Sequence, residues 1–188
     1  VSDIPADLKE IVYAGYTTLG NFAINGQPLG IMKGYYYQRH ENGQLLVGAG
    51  GDYIASTTIG IIGNPNPNYR LSGINSLTYK SFTFRFQVDY TDGGDMYSST
   101  ARSLLARGVT KDTEFDRAAP YILPGVTADG KPNNIQISAT QGYFNNVFGP
   151  DQGGIFDATV VRLRDMSLSY SLPEKLLNKT PFGSVSIT

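Results

Sequence analysis

The chain has 188 residues, 15 basic and 16 acidic, for a formal net charge of −1, a balance that offers nucleic acid no electrostatic purchase. It contains no cysteine, which excludes disulfides, thiolate metal sites and cysteine nucleophiles. Its 22 glycines, 13 tyrosines and 9 phenylalanines, with no tryptophan, suit many short strands and turns. No stretch approaches the roughly 18 apolar residues of a membrane helix, and Val1 onward lacks the basic-then-apolar plan of a signal peptide. Neither observation excludes a closed β-barrel, which also satisfies every backbone group within the membrane.

In chain order, the pattern first predicts a short helix within Asp3 to Gly15, because Pro5 suits a first turn and Asp7, Lys9 and Glu10 lie on a polar side. From Gly26 to Gly63 glycine and tyrosine dominate. Asn42-Gly43, between Tyr35-Tyr36-Tyr37 and Leu45-Leu46-Val47, predicts a hairpin. Asn64-Pro65-Asn66-Pro67-Asn68 is a rigid, non-helical connector, since each proline fixes its own φ and biases its predecessor toward extended geometry.

The next two segments are the most informative. In Phe82 to Tyr90 the side chains of Phe82, Phe84, Phe86, Val88 and Tyr90 fall on one face, and Thr83, Arg85, Gln87 and Asp89 on the other. A turn at Lys80-Ser81 would pair Tyr79 with Phe82, Leu77 with Phe84 and Leu71 with Tyr90, so that the apolar faces of both strands coincide. Apolar alternation over about nine to eleven residues is the mark of a membrane-crossing β-strand, although a half-buried hairpin of a soluble domain produces it too.

Gly93 to Asn134 is polar, with one short helix expected near Thr100 to Arg107, and its length suits a functional surface excursion. Ile135 to Thr140 alternates again, and Gly142 to Gly154 is an aromatic, glycine-containing loop. Thr159 to Leu172 is the strongest late strand, but its apolar residues change parity. Val161 and Leu163 belong to one series, Met166, Leu168, Tyr170 and Leu172 to the other. One extra residue at Arg164-Asp165 would return both series to one face, so a β-bulge is expected there. Pro173 ends the strand, a helical turn follows at Glu174 to Asn178, and Val185 and Ile187 alternate with Ser184 and Ser186 in what reads as a strand cut off mid-pattern.

Several of these stretches together resemble a known family. They are Ile62-Gly63-Asn64-Pro65-Asn66-Pro67, Leu77-Thr78-Tyr79-Lys80-Ser81-Phe82, Asp92-Gly93-Gly94-Asp95, Pro124-Gly125 and above all the run from Val161 to Pro173. Their order and spacing resemble the carboxy-terminal part of the starch-utilisation-type (SusC/RagA) TonB-dependent outer-membrane transporters of Bacteroidetes-like bacteria. The resemblance implies an all-β fold: antiparallel up-and-down strands with long loops, forming part of a plugged barrel of roughly 22 strands. Residues 1–68 would form a loop and hairpin region, and 69–188 barrel strands with a long outward loop at about 93–134. The implied partners are the remainder of the barrel and its plug, a SusD-like surface lipoprotein, the TonB energy-coupling protein and an oligosaccharide or peptide solute. The implied location is the bacterial outer membrane. In such a barrel Phe82, Phe84, Phe86, Val88, Tyr90, Met166, Leu168 and Tyr170 are candidates to face lipid, and Arg85, Gln87 and Asp89 to face the lumen.

Catalytic chemistry finds little support. His40 is the only histidine and stands in a predicted turn. With no cysteine, a zinc site would rest on carboxylates, which zinc rarely accepts alone. Asp92/Asp95 and Glu114/Asp116 are paired carboxylates of the type glycosidases use, but their glycine-rich and charged surroundings suit turns. No cofactor or metal is implied. Tyr35 to Tyr37 and Tyr143-Phe144 could stack on sugar rings, or serve turn packing or an interfacial girdle. The rival to a transporter segment is a soluble β-rich carbohydrate-binding or adhesin domain, in which a protein core would cover the Phe82 series.

Overall fold

The computed structural model describes residues 1–5, 7–138, 140, 144 and 147–188. The fold is predominantly antiparallel β-sheet with few helical turns. It divides into two compact units: 1–66 with 94–157, and 67–93 with 158–188.

The first unit opens with a sheet of four strands in sequential order, β1 (Glu10–Gly15), β2 (Gly20–Ile24), β3 (Ile31–Gly34) and β4 (Gly60–Gly63). The helix expected between Asp3 and Gly15 is therefore corrected. Ile11, Val12 and Tyr13 are β-branched or aromatic and favour extended backbone, and a tight turn in which the Tyr16 amide donates to the Leu19 carbonyl folds β1 onto β2. The Asn42-Gly43 turn forms as expected, with Gly43 at φ +85°, but its arms meet in the isolated bridge Arg39–Leu45, while Tyr37 bridges to Ala55 beyond the second arm. Ile135 to Thr140 is likewise not a full strand. Among the described residues it is held to Tyr121 by the single bridge of Ile137, and Ala139 lies outside them.

The polar stretch after Gly93 is well folded. It contributes β7 (Asp95–Tyr97), paired with β8 (Ile155–Asp157), and helix α1 (Ser99–Ala106). The Ser98 hydroxyl accepts from the Ala101 amide and so satisfies one free donor at the helix start. Leu123, Phe144 and Val147 form a buried cluster, against which Tyr53, Phe115, Tyr121, Ile137 and Phe148 pack. Polar composition concealed the part that Phe115, Tyr121 and Leu123 take in this core, because they are spaced singly among turns and bends and show no periodicity.

The second unit is one sheet in the order β10 (Ser186–Ile187), β9 (Val160–Ser171), β6 (Phe82–Asp92) and β5 (Tyr69–Tyr79). β5 and β6 pair without interruption from Tyr69–Asp92 to Tyr79–Phe82, so Lys80 and Ser81 make the two-residue turn. Lys80 takes the left-handed conformation there, φ +53°. The expected turn and register are both present. So is the expected bulge: β6 pairs Gln87 with Asp165 and Val88 with Leu163, leaving Arg164 as the extra residue. A short helix, α2 (Glu174–Leu177), follows Pro173. No residue of this unit is buried.

Candidate functional site

The register of the second unit sorts its residues into two faces, since directly opposed strand residues project to the same side. On one side the rows read Tyr79/Phe82/Tyr170, Leu77/Phe84/Leu168, Asn75/Phe86/Met166, Gly73/Val88/Leu163 and Leu71/Tyr90/Val161. All eight candidate lipid-facing residues thus share a face, joined by Leu71, Leu77, Val161 and Leu163. The rings of Phe82 and Tyr170 lie 4.7 Å apart, and those of Phe84 and Phe86 lie 5.6 Å apart. The face is nevertheless open. Leu168 is 59% exposed and Leu77 61%, although burying each such side chain is worth roughly 1.5–3 kcal/mol.

Aromatic residues mark both ends of this face. Tyr79, Phe82 and Tyr170 form the row at the turn, while Tyr69 and Tyr90 meet edge-to-face at the other end, 5.8 Å between centroids. From Tyr69 to Tyr79 the strand runs about 33 Å at roughly 3.3 Å per residue. A tilt of about 40° reduces that to a height of about 25 Å, the height of the apolar band of a membrane barrel.

On the opposite side the rows read Thr78/Thr83/Ser169, Ser76/Arg85/Ser167, Ile74/Gln87/Asp165, Ser72/Asp89/Arg162 and Arg70/Thr91/Val160. Arg85, Gln87 and Asp89, the candidate lumen-facing residues, all lie on this polar side. Ile74 and Val160 are its apolar exceptions. Asp89 is fully engaged: Gln87 donates to one carboxylate oxygen at 3.0 Å, and Nε of Arg164 donates to the other. The bulge makes the second bond possible, because it turns Arg164 to the polar side. Arg70, Arg162 and Arg164 were not singled out from the sequence. They gather because β5 and β9 flank β6, a neighbour relation that strand alternation does not report.

The remaining candidates have structural partners in the first unit. The Tyr37 hydroxyl donates to the Val147 carbonyl at 2.7 Å, and its ring meets Tyr53 edge-to-face at 5.6 Å. Burial pushes its pKa up to about 12, with the nearby Arg102 charge opposing. Tyr36 packs over Gly60, where a Cβ would sit 2.7 Å from the ring. Tyr35 is exposed and, with Asp52, Tyr53 and Pro150, lines a concavity of about 550 Å³. Phe144 is a core residue at 2% exposure, which removes it as a sugar-stacking platform, and Tyr143 lies outside the described residues.

Three of the four paired carboxylates serve the chain's own turns. Asp92 accepts from Asn68 and Tyr90, Asp95 from the Asn64 amide, and Asp116 from the Ala118 amide. The His40 ring accepts from the Asn42 amide at 3.3 Å. Among the described residues no group of three or more potential metal ligands converges.

No family model matches the chain. It is 27% identical over 128 residues to TonB-dependent receptor P3 of Formosa agariphila, a match that takes in 68% of this chain and 12% of that protein. The similarity supports kinship with the TonB-dependent receptors, and the chain spans only about an eighth of the length of the curated relative it matches.

Proposed function

We propose that this chain is a late segment of an outer-membrane β-barrel importer of the starch-utilisation (SusC/RagA) type. The observation that carries the reading is the continuous apolar face across β5, β6 and β9, uncovered within its own unit and edged by tyrosines about 25 Å apart. The distant likeness to a TonB-dependent receptor points the same way. Lipid would meet Phe82, Phe84, Phe86, Val88, Tyr90, Met166, Leu168 and Tyr170. Water in the lumen would meet Arg85, Gln87 and Asp89. The two-residue turn at Lys80-Ser81 fits the short periplasmic turns of such barrels. The segments that leave the Tyr69, Asp92 and Val160 ends fit the long outward loops.

In this reading the working unit includes the rest of the barrel, its plug, a SusD-like lipoprotein and the TonB protein. It takes up oligosaccharides or peptides by binding and gating, without covalent chemistry. The test is made in the full-length protein. Phe84→Arg places a charge in lipid one row in from the turn, at a cost between the about 0–1 kcal/mol of the interface and the about 2–4 kcal/mol of mid-depth, and should impair outer-membrane assembly. Gln87→Ala on the wet side should not. Normal assembly of Phe84→Arg would refute the reading.

A further inference from the structure

We propose that the outer end of the polar face is an oxyanion site and that the imported solute carries carboxylate groups. This rests on the barrel reading above and adds a charge class to its solute.

A cavity of about 320 Å³ lies over the end of the sheet away from the Lys80-Ser81 turn, lined by Arg70, Ser72, Asp89, Thr91, Arg162 and Arg164 among others. Three guanidinium groups thus face one carboxylate. That carboxylate accepts from Gln87 and Arg164 and balances one of the three guanidinium charges, so two positive charges lining the cavity are left in surplus. Arg70 and Arg162 occupy the strands on either side of β6, in the adjacent rows Arg70/Thr91/Val160 and Ser72/Asp89/Arg162. Their backbones stand about 12 Å apart, two strand spacings across and two residues along, with the β6 residues between them as a floor. A planar carboxylate suits such a pair of guanidinium forks, which bind it bidentately. The Thr91 hydroxyl adds a neutral donor.

Position separates solute from internal partner. In a barrel whose short turns face the periplasm, this end is the outer mouth, which an arriving solute meets first. A mouth lined by surplus charge of one sign, within low-dielectric walls, concentrates ions of the other sign.

The test uses the full-length protein purified from outer membranes in detergent. Binding is measured for trigalacturonate and triglutamate, each against a neutral counterpart, trigalactose and triglutamine. At least one acidic probe should bind more tightly than its counterpart and weaken as salt is raised, and which one binds identifies the scaffold that carries the carboxylates. The double variant Arg70→Gln/Arg162→Gln should lose at least tenfold in affinity for that probe while assembling normally. Overturning results are equal binding of acidic and neutral probes, or no loss in the double variant. A lowered unfolding temperature in the double variant with probe binding unchanged would assign the arginines to a carboxylate of the protein itself, and would also overturn the proposal. Failure of the wild-type protein to run as a heat-modifiable barrel would instead refute the parent reading.

Discussion

Leu163 and Met166 stand three residues apart on β9 yet project to the same face, Leu163 beside Val88 and Met166 beside Phe86. In a regular strand a separation of three puts two side chains on opposite faces. The single unpaired residue Arg164 reconciles them, and the apolar face then runs unbroken from Val161 to Tyr170.

Deletions test that relationship. Removing Arg164 leaves Leu163, Asp165 and Met166 in regular alternation, still opposite Val88, Gln87 and Phe86. The deletion should preserve register and barrel assembly, losing only the bond to Asp89. Removing Ser167 instead turns one half of the strand over, so that its apolar residues face water. That protein should fail to appear as a folded species in outer-membrane fractions on unheated gels.

Depth should grade the cost of charge on the apolar face. Phe86 lies in a middle row and Tyr79 in the row at the turn. Arginine at Phe86 should destabilise the full-length barrel by about 2–4 kcal/mol and arginine at Tyr79 by about 0–1 kcal/mol. Urea unfolding in lipid or detergent measures both. Equal penalties would contradict a membrane crossing in this orientation.

In the first unit, Arg102 and Asp151 hold the turn before β8. Asp151 is buried, lies 3.7 Å from the Arg102 guanidinium and accepts from the Tyr35 amide at 3.0 Å, while Arg102 also donates to the Phe148 and Gly149 carbonyls. Arg102→Ala takes the cation from Asp151 and the donor from two carbonyls together, a loss of about 1–3 kcal/mol. Limited proteolysis should then cut near residues 147–154 at a protease concentration that leaves wild type intact.

The Tyr37 hydroxyl sets an alkaline limit on the first unit. Its pKa is raised from 10.0 to about 12 by burial, so the folded state keeps the proton that the unfolded chain has already released. Its contribution is complete below pH 10 and is lost as pH rises from about 10 to 12. Absorbance titration at 295 nm should show a late-ionising fraction, and Tyr37→Phe should shrink that fraction by one tyrosine. Titration of every tyrosine near pH 10 in the wild-type protein would contradict the assignment.

Much of the second unit was legible in the sequence, because a strand's period of two depends on nothing beyond its own residues. Phe82 to Tyr90 declared its two faces, the parity change between Leu163 and Met166 declared a bulge, and a two-residue gap at Lys80-Ser81 declared the turn. What alternation cannot report is which strand lies beside which. That β9 pairs with β6 across a long intervening stretch, and so brings Arg162 and Arg164 beside Asp89 and near Arg70, was decided by tertiary hydrogen bonding alone. The first unit was less legible for the same reason. Its core residues Leu123 and Val126 sit in irregular backbone without a period, and β1 took strand over helix because β2 offered its extended backbone a partner. Local sequence determines which way a side chain points along its own element, whereas only the folded chain determines what it meets.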